Sequence, residues 1–299
     1  MENFLLIILA LALGMGLHHL RLLPPESALV LNQFVIYVSL PALVLLRVPH
    51  ITLSQELLAP VLTPWILLFL SALVVLVMAR VMTWSRPVTG ALMLVIPLGN
   101  TSFLGVPMVQ AFFGQSGVAI ALLYDQVGTF TALATYGSIV VATYSDGQQP
   151  TPGTVLKKIL TFPPFIAMLM ALSLRQVTLP PPLIHVLESL AATLIPVVMV
   201  AVGFQFRILL PRSLLFPLLF ALGFKLVASP LATALLCHLA GWSGLPASVT
   251  VFESGMPAMI TAGALATAAG LAPDLAAAVV GFGILLSFLT LPLLAAWLA

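Results

Sequence analysis

The chain has 299 residues, of which 62% are hydrophobic and only 6% are charged, with ten basic and eight acidic side chains. Soluble domains carry about 25% charged residues, so this composition excludes a water-soluble globule and predicts an integral membrane protein embedded in a lipid bilayer. A nucleic-acid surface is also excluded, because no basic cluster exceeds the pair Lys157 and Lys158.

Apolar runs separated by polar breaks predict an all-α polytopic protein with ten transmembrane helices. The first five spans are expected at about 3–20, 29–47, 59–82, 88–113 and 115–143, and the second five at about 158–174, 183–208, 213–239, 245–269 and 273–298. A polar, turn-rich stretch over 145–153 separates the two sets. We therefore expect a first five-helix repeat over 1–143, a short cytoplasmic linker over 144–157 and a second repeat over 158–299.

The two sets of spans look like copies of each other. The spacing from Pro25 to Pro41 equals that from Pro180 to Pro196, and Gly105-Val106-Pro107 in span 4 matches Gly255-Met256-Pro257 in span 9. Because five is an odd number, the second copy must enter the membrane in the opposite direction. An inverted repeat of this kind is typical of secondary transporters.

The distribution of basic residues predicts the orientation in the membrane. The loops of one side hold most of these residues, and the other side holds only Arg47 and Arg175. The basic loops contain Arg21, Arg80, Arg86, Lys157, Lys158, Arg207 and Arg212. We therefore expect this side to be cytoplasmic and both termini to lie on the non-cytoplasmic side.

Spans 4 and 9 each contain residues that interrupt a helix. Span 4 has two prolines, Pro97 and Pro107, around the polar residues 100–102, and span 9 has Glu253-Ser254-Gly255-Met256-Pro257. A single break is usually a packed proline kink, but matched breaks in two halves indicate a binding site at the membrane midplane.

Each break frees amide groups at the start of a new half-helix, expected near Pro107 and near Pro257. The positive ends of two such half-helices suit an anion. Asn100 and Thr101 add neutral hydrogen-bond donors for a carboxylate.

The motifs of both halves resemble those of the auxin efflux carrier family of bacterial and plant membrane transporters. The most specific match is Asn-Thr-x-x-x-Gly-x-Pro at 100–107. The other matches are Leu123-Tyr124-Asp125-Gln126, Leu40-Pro41, Ile195-Pro196 and Thr290-Leu291-Pro292. The resemblance covers essentially the whole chain.

The resemblance implies two inverted five-helix bundles with broken helices 4 and 9 crossing beside the substrate, which would be a small organic anion such as auxin, malate or malonate. From the two breaks we expect the substrate-binding residues to be Asn100, Thr101, Gly105, Pro107, Glu253, Gly255 and Pro257. Sodium-coupled bile acid symporters share this architecture, but the Glu-Cys-Cys-Pro-Gly-Gly motif that many of them carry in span 4 is absent from this sequence.

Three ionisable residues, Asp125, Lys225 and Glu253, lie in apolar spans, where an unpaired charge costs about 2.5–3.5 kcal/mol. One interpretation is a structural ion pair between Lys225 and either acid. The other is that Asp125 or Glu253 carries a coupling proton. Asp125 is favoured because Asp125-Gln126 matches the family pattern and Gly128 permits close packing nearby, whereas Glu253 is also placed to shape the binding site.

Other functions find little support in the sequence. Cys237 is the only cysteine, the histidines lack metal-site spacing, and neither an ATP-binding glycine loop nor a nucleophile context for hydrolysis is present. We expect no enzymatic activity, no metal and no cofactor. Two alternatives stay open: a sodium-coupled organic anion symporter and a membrane receptor that binds the same ligand without moving it.

Short loops favour a bacterial inner membrane, and the glycine- and alanine-rich spans 9 and 10 are compatible with a homodimer.

Overall fold

A computed structural model describes residues 2–50, 55–145, 151–174, 177, 179–205 and 214–298. Regular structure in these residues is helical, apart from one isolated antiparallel bridge between Gly99 and Ala258. The predicted all-α class is therefore confirmed. Three arginines used to predict orientation, Arg175, Arg207 and Arg212, and the linker residues 146–150 lie outside the described residues.

Twelve helices are labelled in chain order within the described residues. They are α1 Glu2–His19, α2 Ser27–His50, α3 Gln55–Val81, α4 Arg86–Val95, α5 Thr101–Tyr144, α6 Pro152–Leu160, α7 Pro163–Ser173, α8 Pro181–Gln205, α9 Leu215–Leu239, α10 Gly244–Ser254, α11 Ile260–Ala268 and α12 Pro273–Leu298. Proline stands in the first turn of α4, α7 and α8, where its missing N–H costs nothing.

Six of the helices in the described part of the chain, α2, α3, α5, α8, α9 and α12, are long and apolar enough to cross a bilayer. Shorter apolar helices are found at Leu5–His19, Arg86–Val95 and Pro163–Ser173. The predicted ten-helix inverted repeat goes beyond this observation and stays a prediction.

The ends of the predicted spans agree with the helices at some places and differ at others. The predicted boundary between spans 4 and 5 is confirmed, because Gly114 interrupts α5 with φ 69° and ψ −167°. Span 10 coincides with α12. The prediction of one helix over 158–174 is wrong, because α6 ends at Leu160 and the extended residue Phe162 leads into Pro163 at the start of α7.

Contacts along the chain define two compact units, each built from both halves of the sequence. The first unit comprises Met1–Leu53, Ser102–Leu122 and Lys158–Phe206, and the second comprises Ser54–Thr101, Leu123–Lys157 and Arg207–Ala299. A compact unit is a different property from a sequence repeat, so the predicted repeats are neither supported nor opposed by this division.

In the first unit, α1 and α8 pack with their backbones in close contact. A Cβ atom added to Gly14 would overlap the carbonyl oxygen of Val200, and one added to Gly203 would overlap that of Leu11. Small residues that let helix backbones approach in this way are typical of membrane helix pairs. Glycine is therefore required at both positions of this contact.

The second unit is organised around α4. Every residue from Val88 to Val95 is buried, and α4 packs against α3, α11, α12 and the end of α5. A further close approach joins α3 to α5, since a Cβ atom on Gly128 would overlap the ring of Pro64. The prediction that Gly128 permits tight packing near Asp125 is confirmed by this contact.

Candidate functional site

Both predicted helix interruptions are present in the second unit. Helix α4 ends at Val95, and residues 96–100 are not helical before α5 begins at Thr101. Helix α10 ends at Ser254, and α11 begins at Ile260. Pro97 and Pro257 lie in these interruptions, where each lacks the amide hydrogen that a continuing helix would need.

The new helices begin near the predicted positions. After a π-helical turn, Thr101–Gly105, regular α-helix begins at Val106, so Pro107 lies in its first turn, where proline is tolerated. The second new helix begins at Ile260, three residues after Pro257, because Pro257 belongs to the interruption itself.

The two interruptions pair with each other through their backbones. The amide of Asn100 donates to the carbonyl of Pro257 at 2.8 Å, and the amide of Met259 donates to the carbonyl of Leu98 at 2.9 Å. Gly99 and Ala258 face each other between these bonds. Unwound backbone at membrane depth needs such partners, because lipid offers none. Residues from opposite halves of the sequence therefore form one short, two-stranded contact, which we call the break pair.

The side chain of Asn100 is buried at the break pair with unused hydrogen-bonding capacity. Its exposed fraction is 1%, and its Nδ2 atom has no hydrogen-bond partner among the described residues. A buried amide donor without an acceptor is costly. Asn100 is thus available to donate to a ligand.

A second group of predicted residues forms a hydrogen-bonded network around Asp125. The hydroxyl of Thr101 donates to Asp125 Oδ1 at 2.6 Å, and the amide of Gln126 donates to Asp125 Oδ2 at 2.6 Å. Asp125 and Gln126 lie on a π-helical stretch of α5, Tyr124–Phe130, and both are fully buried. Short bonds to both oxygens are the arrangement that stabilises a carboxylate away from water.

The other two predicted ionisable residues lie in the same unit but in different surroundings. Glu253 is fully buried at the end of α10, and neither of its carboxyl oxygens has a hydrogen-bond partner among the described residues. Two charged groups act on it: Asp125 repels its ionised form, and Lys225 attracts it. Lys225 is 6% exposed and lies on the π-helical stretch Phe224–Ala228 of α9.

These charged groups do not form the contact ion pair that one interpretation of the sequence predicts. Within the described residues, Lys225 makes no ion pair closer than 4.0 Å. Such a pair is formed by His185 and Glu188 on α8. The ammonium of Lys225 instead lies beside the break pair, 3.0 Å from the position that a Cβ atom on Gly99 would occupy. Lys225 and Glu253 therefore interact across a distance rather than in contact.

A small cavity of about 10 Å³ lies beside the break pair. This volume matches about one water molecule. Its walls include Gly99, Thr101 and Lys225, together with the polar residues Ser71, Tyr124, Thr129 and Ser229. Apolar residues such as Leu67 and Leu98 form the rest of the walls. The cavity is far too small for an organic acid, which needs a pocket of about 300 Å³ or more.

The remaining predicted site residues are buried but are not part of this network. Gly255 packs against α12, since a Cβ atom there would lie 2.9 Å from Leu294 Cδ2. Gly105 and Pro107 are buried in the segment Ser102–Leu122, which belongs to the first compact unit. Their assignment to substrate binding stays a prediction.

Sequence reasoning did not identify several residues that complete the site. Ala258 and Met259 were not singled out, although Ala258 faces Gly99 and Met259 completes the backbone pairing. The small polar residues Ser71 and Ser229 lie in apolar helices, where such residues equally often serve packing. What distinguishes Ser71 and Ser229 from packing residues is that both line the same cavity, and this depends on the fold and not on the local sequence. Among the described residues, no group of three His, Cys, Asp or Glu side chains is placed to hold a metal ion.

Comparison with known proteins agrees with the membrane location. The sequence profile of the membrane transport protein family matches residues 1–295. An uncharacterized transporter of Methanothermobacter thermautotrophicus is 30% identical over 302 aligned positions, which cover 98% of this chain and 96% of that protein. An uncharacterized transporter of Methanocaldococcus jannaschii is 28% identical over 274 positions, with 87% of each chain covered. The chain therefore belongs to the auxin efflux carrier type of the membrane transport protein family and is an integral membrane transporter.

Proposed function

We propose that this transporter carries a small organic anion by alternating access and that the break pair forms its binding site. The observation that carries the proposal is the backbone pairing of residues 98–100 with 257–259 beside the ammonium of Lys225. Transporters bind substrate at matched helix breaks, where the amides of new helix ends favour anionic groups. The inverted 5+5 arrangement, with broken helices 4 and 9 crossing at this pair, is part of the same proposal.

The chemistry of the break pair suits a carboxylate. Asn100 supplies an amide donor that has no partner among the described residues, and Lys225 supplies a buried positive charge. A carboxylate can accept hydrogen bonds from both kinds of donor, and a bond in which both partners are charged is the stronger type. Small carboxylates such as malate, malonate or an auxin-like acid are therefore the substrate class that we propose, with export as the direction.

Binding of such an acid requires a second conformation. The cavity beside the break pair has about 10 Å³, so its walls must move apart before an organic acid enters. The wall residues come from α3, α5, α9 and the interruption after α4. Alternating access would supply this movement, because the site then opens to each side of the membrane in turn.

We place the coupling proton on Asp125. In the structure Asp125 accepts two short hydrogen bonds, whereas Glu253 accepts none from the described residues. Because an ionised carboxylate without partners is unstable in such surroundings, we assign the negative charge to Asp125 and a proton to Glu253. The charge of Lys225 then balances that of Asp125. A substrate carboxylate beside Lys225 adds one negative charge, and protonation of Asp125 restores the balance.

Flux across proteoliposomes tests the substrate class. Malate, malonate, lactate and indole acetate are offered with and without a pH gradient, and Asn100→Ala is compared with Asn32→Ala. Asn32 is an asparagine of α2, in the other unit, that also has a buried oxygen without a partner among the described residues. We expect flux of at least one acid that is lost in Asn100→Ala and retained in Asn32→Ala. Equal flux in both variants would place the binding site away from the break pair.

A matched pair of variants tests the coupling. Asp125→Asn fixes the neutral form of this residue, so flux should no longer respond to a pH gradient. Glu253→Gln imitates the protonated form that we assign to Glu253, so the gradient response should persist. The reverse pattern would move the coupling proton to Glu253, and an unchanged response in both variants would exclude either acid as its carrier.

The same assay separates the two alternatives. Flux that requires sodium would indicate a symporter of the bile acid type. Saturable binding of an acid without flux would indicate a receptor. Silence for every acid, with or without sodium, would move the function to another substrate class.

A further inference from the structure

The ammonium of Lys225 occupies an unusual place for a lysine. It lies beside the backbone of Gly99 in the interruption that follows α4, in the buried part of the second unit. Helix α4 ends at Val95, so the last carbonyl groups of this helix have no partner in a following turn. These groups form the negative end of the helix dipole. The place is therefore one where a positive charge is stabilised.

The ammonium has three N–H donors and no direct partner among the described residues. In that part of the chain, no hydrogen bond and no ion pair within 4.0 Å is made by Lys225. Its attraction to Glu253 acts over a longer distance. Since it lines the cavity of about 10 Å³, the space beside it matches one water molecule. The positive charge of Lys225 is thus stabilised by the electrostatic potential of the surrounding groups and not by a direct hydrogen-bond or ion-pair partner.

The same surroundings have the chemistry of a site for a monovalent cation. The hydroxyl-bearing residues Ser71, Thr101 and Thr129 are among those that line the cavity, and unwound backbone at Leu98 and Gly99 adjoins it. The carboxyl group of Asp125 is one hydrogen bond away through Thr101. Transporters with broken helices commonly hold a coupling sodium ion with unwound carbonyls and the C-terminal ends of half-helices. In this protein a lysine of the chain itself already supplies a positive charge.

We propose that Lys225 is a built-in cation, which takes the place of a coupling monovalent cation at the first helix break. The wild-type protein consequently needs no sodium or potassium. Removal of the lysine side chain leaves a space beside Ser71, Thr101 and Thr129 that a sodium ion can fill. The inference rests on the proposed function and extends it by excluding sodium and potassium as coupling ions, but its test by binding does not depend on the identity of the substrate.

Thermal unfolding of the purified protein tests the inference. The wild type, Lys225→Ala and Lys225→Gln are heated in sodium, potassium or choline chloride at equal ionic strength. Lys157→Ala serves as the matched control, because Lys157 is exposed. We expect the Tm of the wild type and the control to be the same in all three salts. Sodium should raise the Tm of Lys225→Ala by about 3 °C over choline, as binding to the folded state requires.

Two results would overturn the inference: a sodium-dependent Tm in the wild type, or the absence of any cation response in a folded Lys225 variant. If neither variant folds, flux through the wild-type protein tests the inference instead. Equal flux in choline and in sodium supports it, and a requirement for sodium refutes it. If flux is silent for every acid while Lys225→Ala is stabilised by sodium, the proposed substrate class fails and the built-in cation stands.

Discussion

Gly128→Ala should reveal whether the contact between α3 and α5 controls the site. Gly128 lies on the π-helical stretch that carries Asp125 and Gln126, and a Cβ atom there would overlap Cβ and Cγ of Pro64. The ring of Pro64 cannot rotate away, because it is closed onto the backbone of α3. The alanine can therefore be accommodated only if the two helices move apart.

The expected magnitude follows from two opposing effects. Overpacking a buried contact costs about 1–3 kcal/mol. Alanine in place of glycine recovers up to about 1 kcal/mol of helix propensity. With the full gain in helix propensity, we expect a net loss of up to about 2 kcal/mol, which lowers Tm by up to about 3 °C for a chain of this size.

The assay compares Gly128→Ala with Gly223→Ala in thermal unfolding and in flux. Gly223 has helical angles, φ −62° and ψ −45°, and a Cβ atom there would meet no described atom within 4 Å. Gly223→Ala should thus leave Tm unchanged or raise it. Flux should fall in Gly128→Ala beyond the loss of folded protein, because Asp125 and Gln126 shift with the backbone. Equal Tm and equal flux in the two variants would refute the close contact between α3 and α5.

Two further substitutions test other contacts. Thr101→Val removes the hydroxyl that donates to Asp125 at 2.6 Å, so we expect the free energy of unfolding to fall by about 1.5–3 kcal/mol and flux to decrease. The control is Thr143→Val, because the hydroxyl of Thr143 is exposed and bonded within its own helix; this variant should change neither measurement. Gly203→Ala places a methyl group against the carbonyl of Leu11, so its Tm should fall more than that of Gly16→Ala, where no described atom lies within 4 Å; equal values would argue against the close packing of α1 on α8.

Local sequence patterns were sufficient for the features that depend on backbone chemistry. Prolines and glycines cannot continue a helix without cost, so the interruptions around Pro97 and Pro257 and the turn at Gly114 could be predicted from residue type alone. Pro107 marks the start of a helix instead of an interruption, because proline is tolerated in the first turn and regular α-helix begins at Val106 after the π-helical turn.

Features that depend on side-chain direction could not be predicted in the same way. The sequence placed Asp125, Lys225 and Glu253 in apolar helices, but their partners depend on how each helix is rotated about its axis. Asp125 faces Thr101, which is 24 residues earlier in the chain. Three π-helical stretches, Thr101–Gly105, Tyr124–Phe130 and Phe224–Ala228, set these directions, and no composition rule marks their positions. A contact ion pair was therefore a reasonable expectation that the geometry does not support.

The separation of Lys225 from both acids has a consequence for transport. A lysine in direct contact with a carboxylate would have to break that contact before it could receive a substrate anion, and the loss of a buried pair is expensive. In this protein Asp125 accepts hydrogen bonds from Thr101 and Gln126, so both of its carboxyl oxygens have a partner other than the ammonium. Under the proposed function, a substrate carboxylate can approach Lys225 while the hydrogen bonds to Asp125 stay in place. The proposed carrier binds and releases an anion in every cycle, and a lysine with no direct partner among the described residues allows both steps without the loss of a buried ion pair.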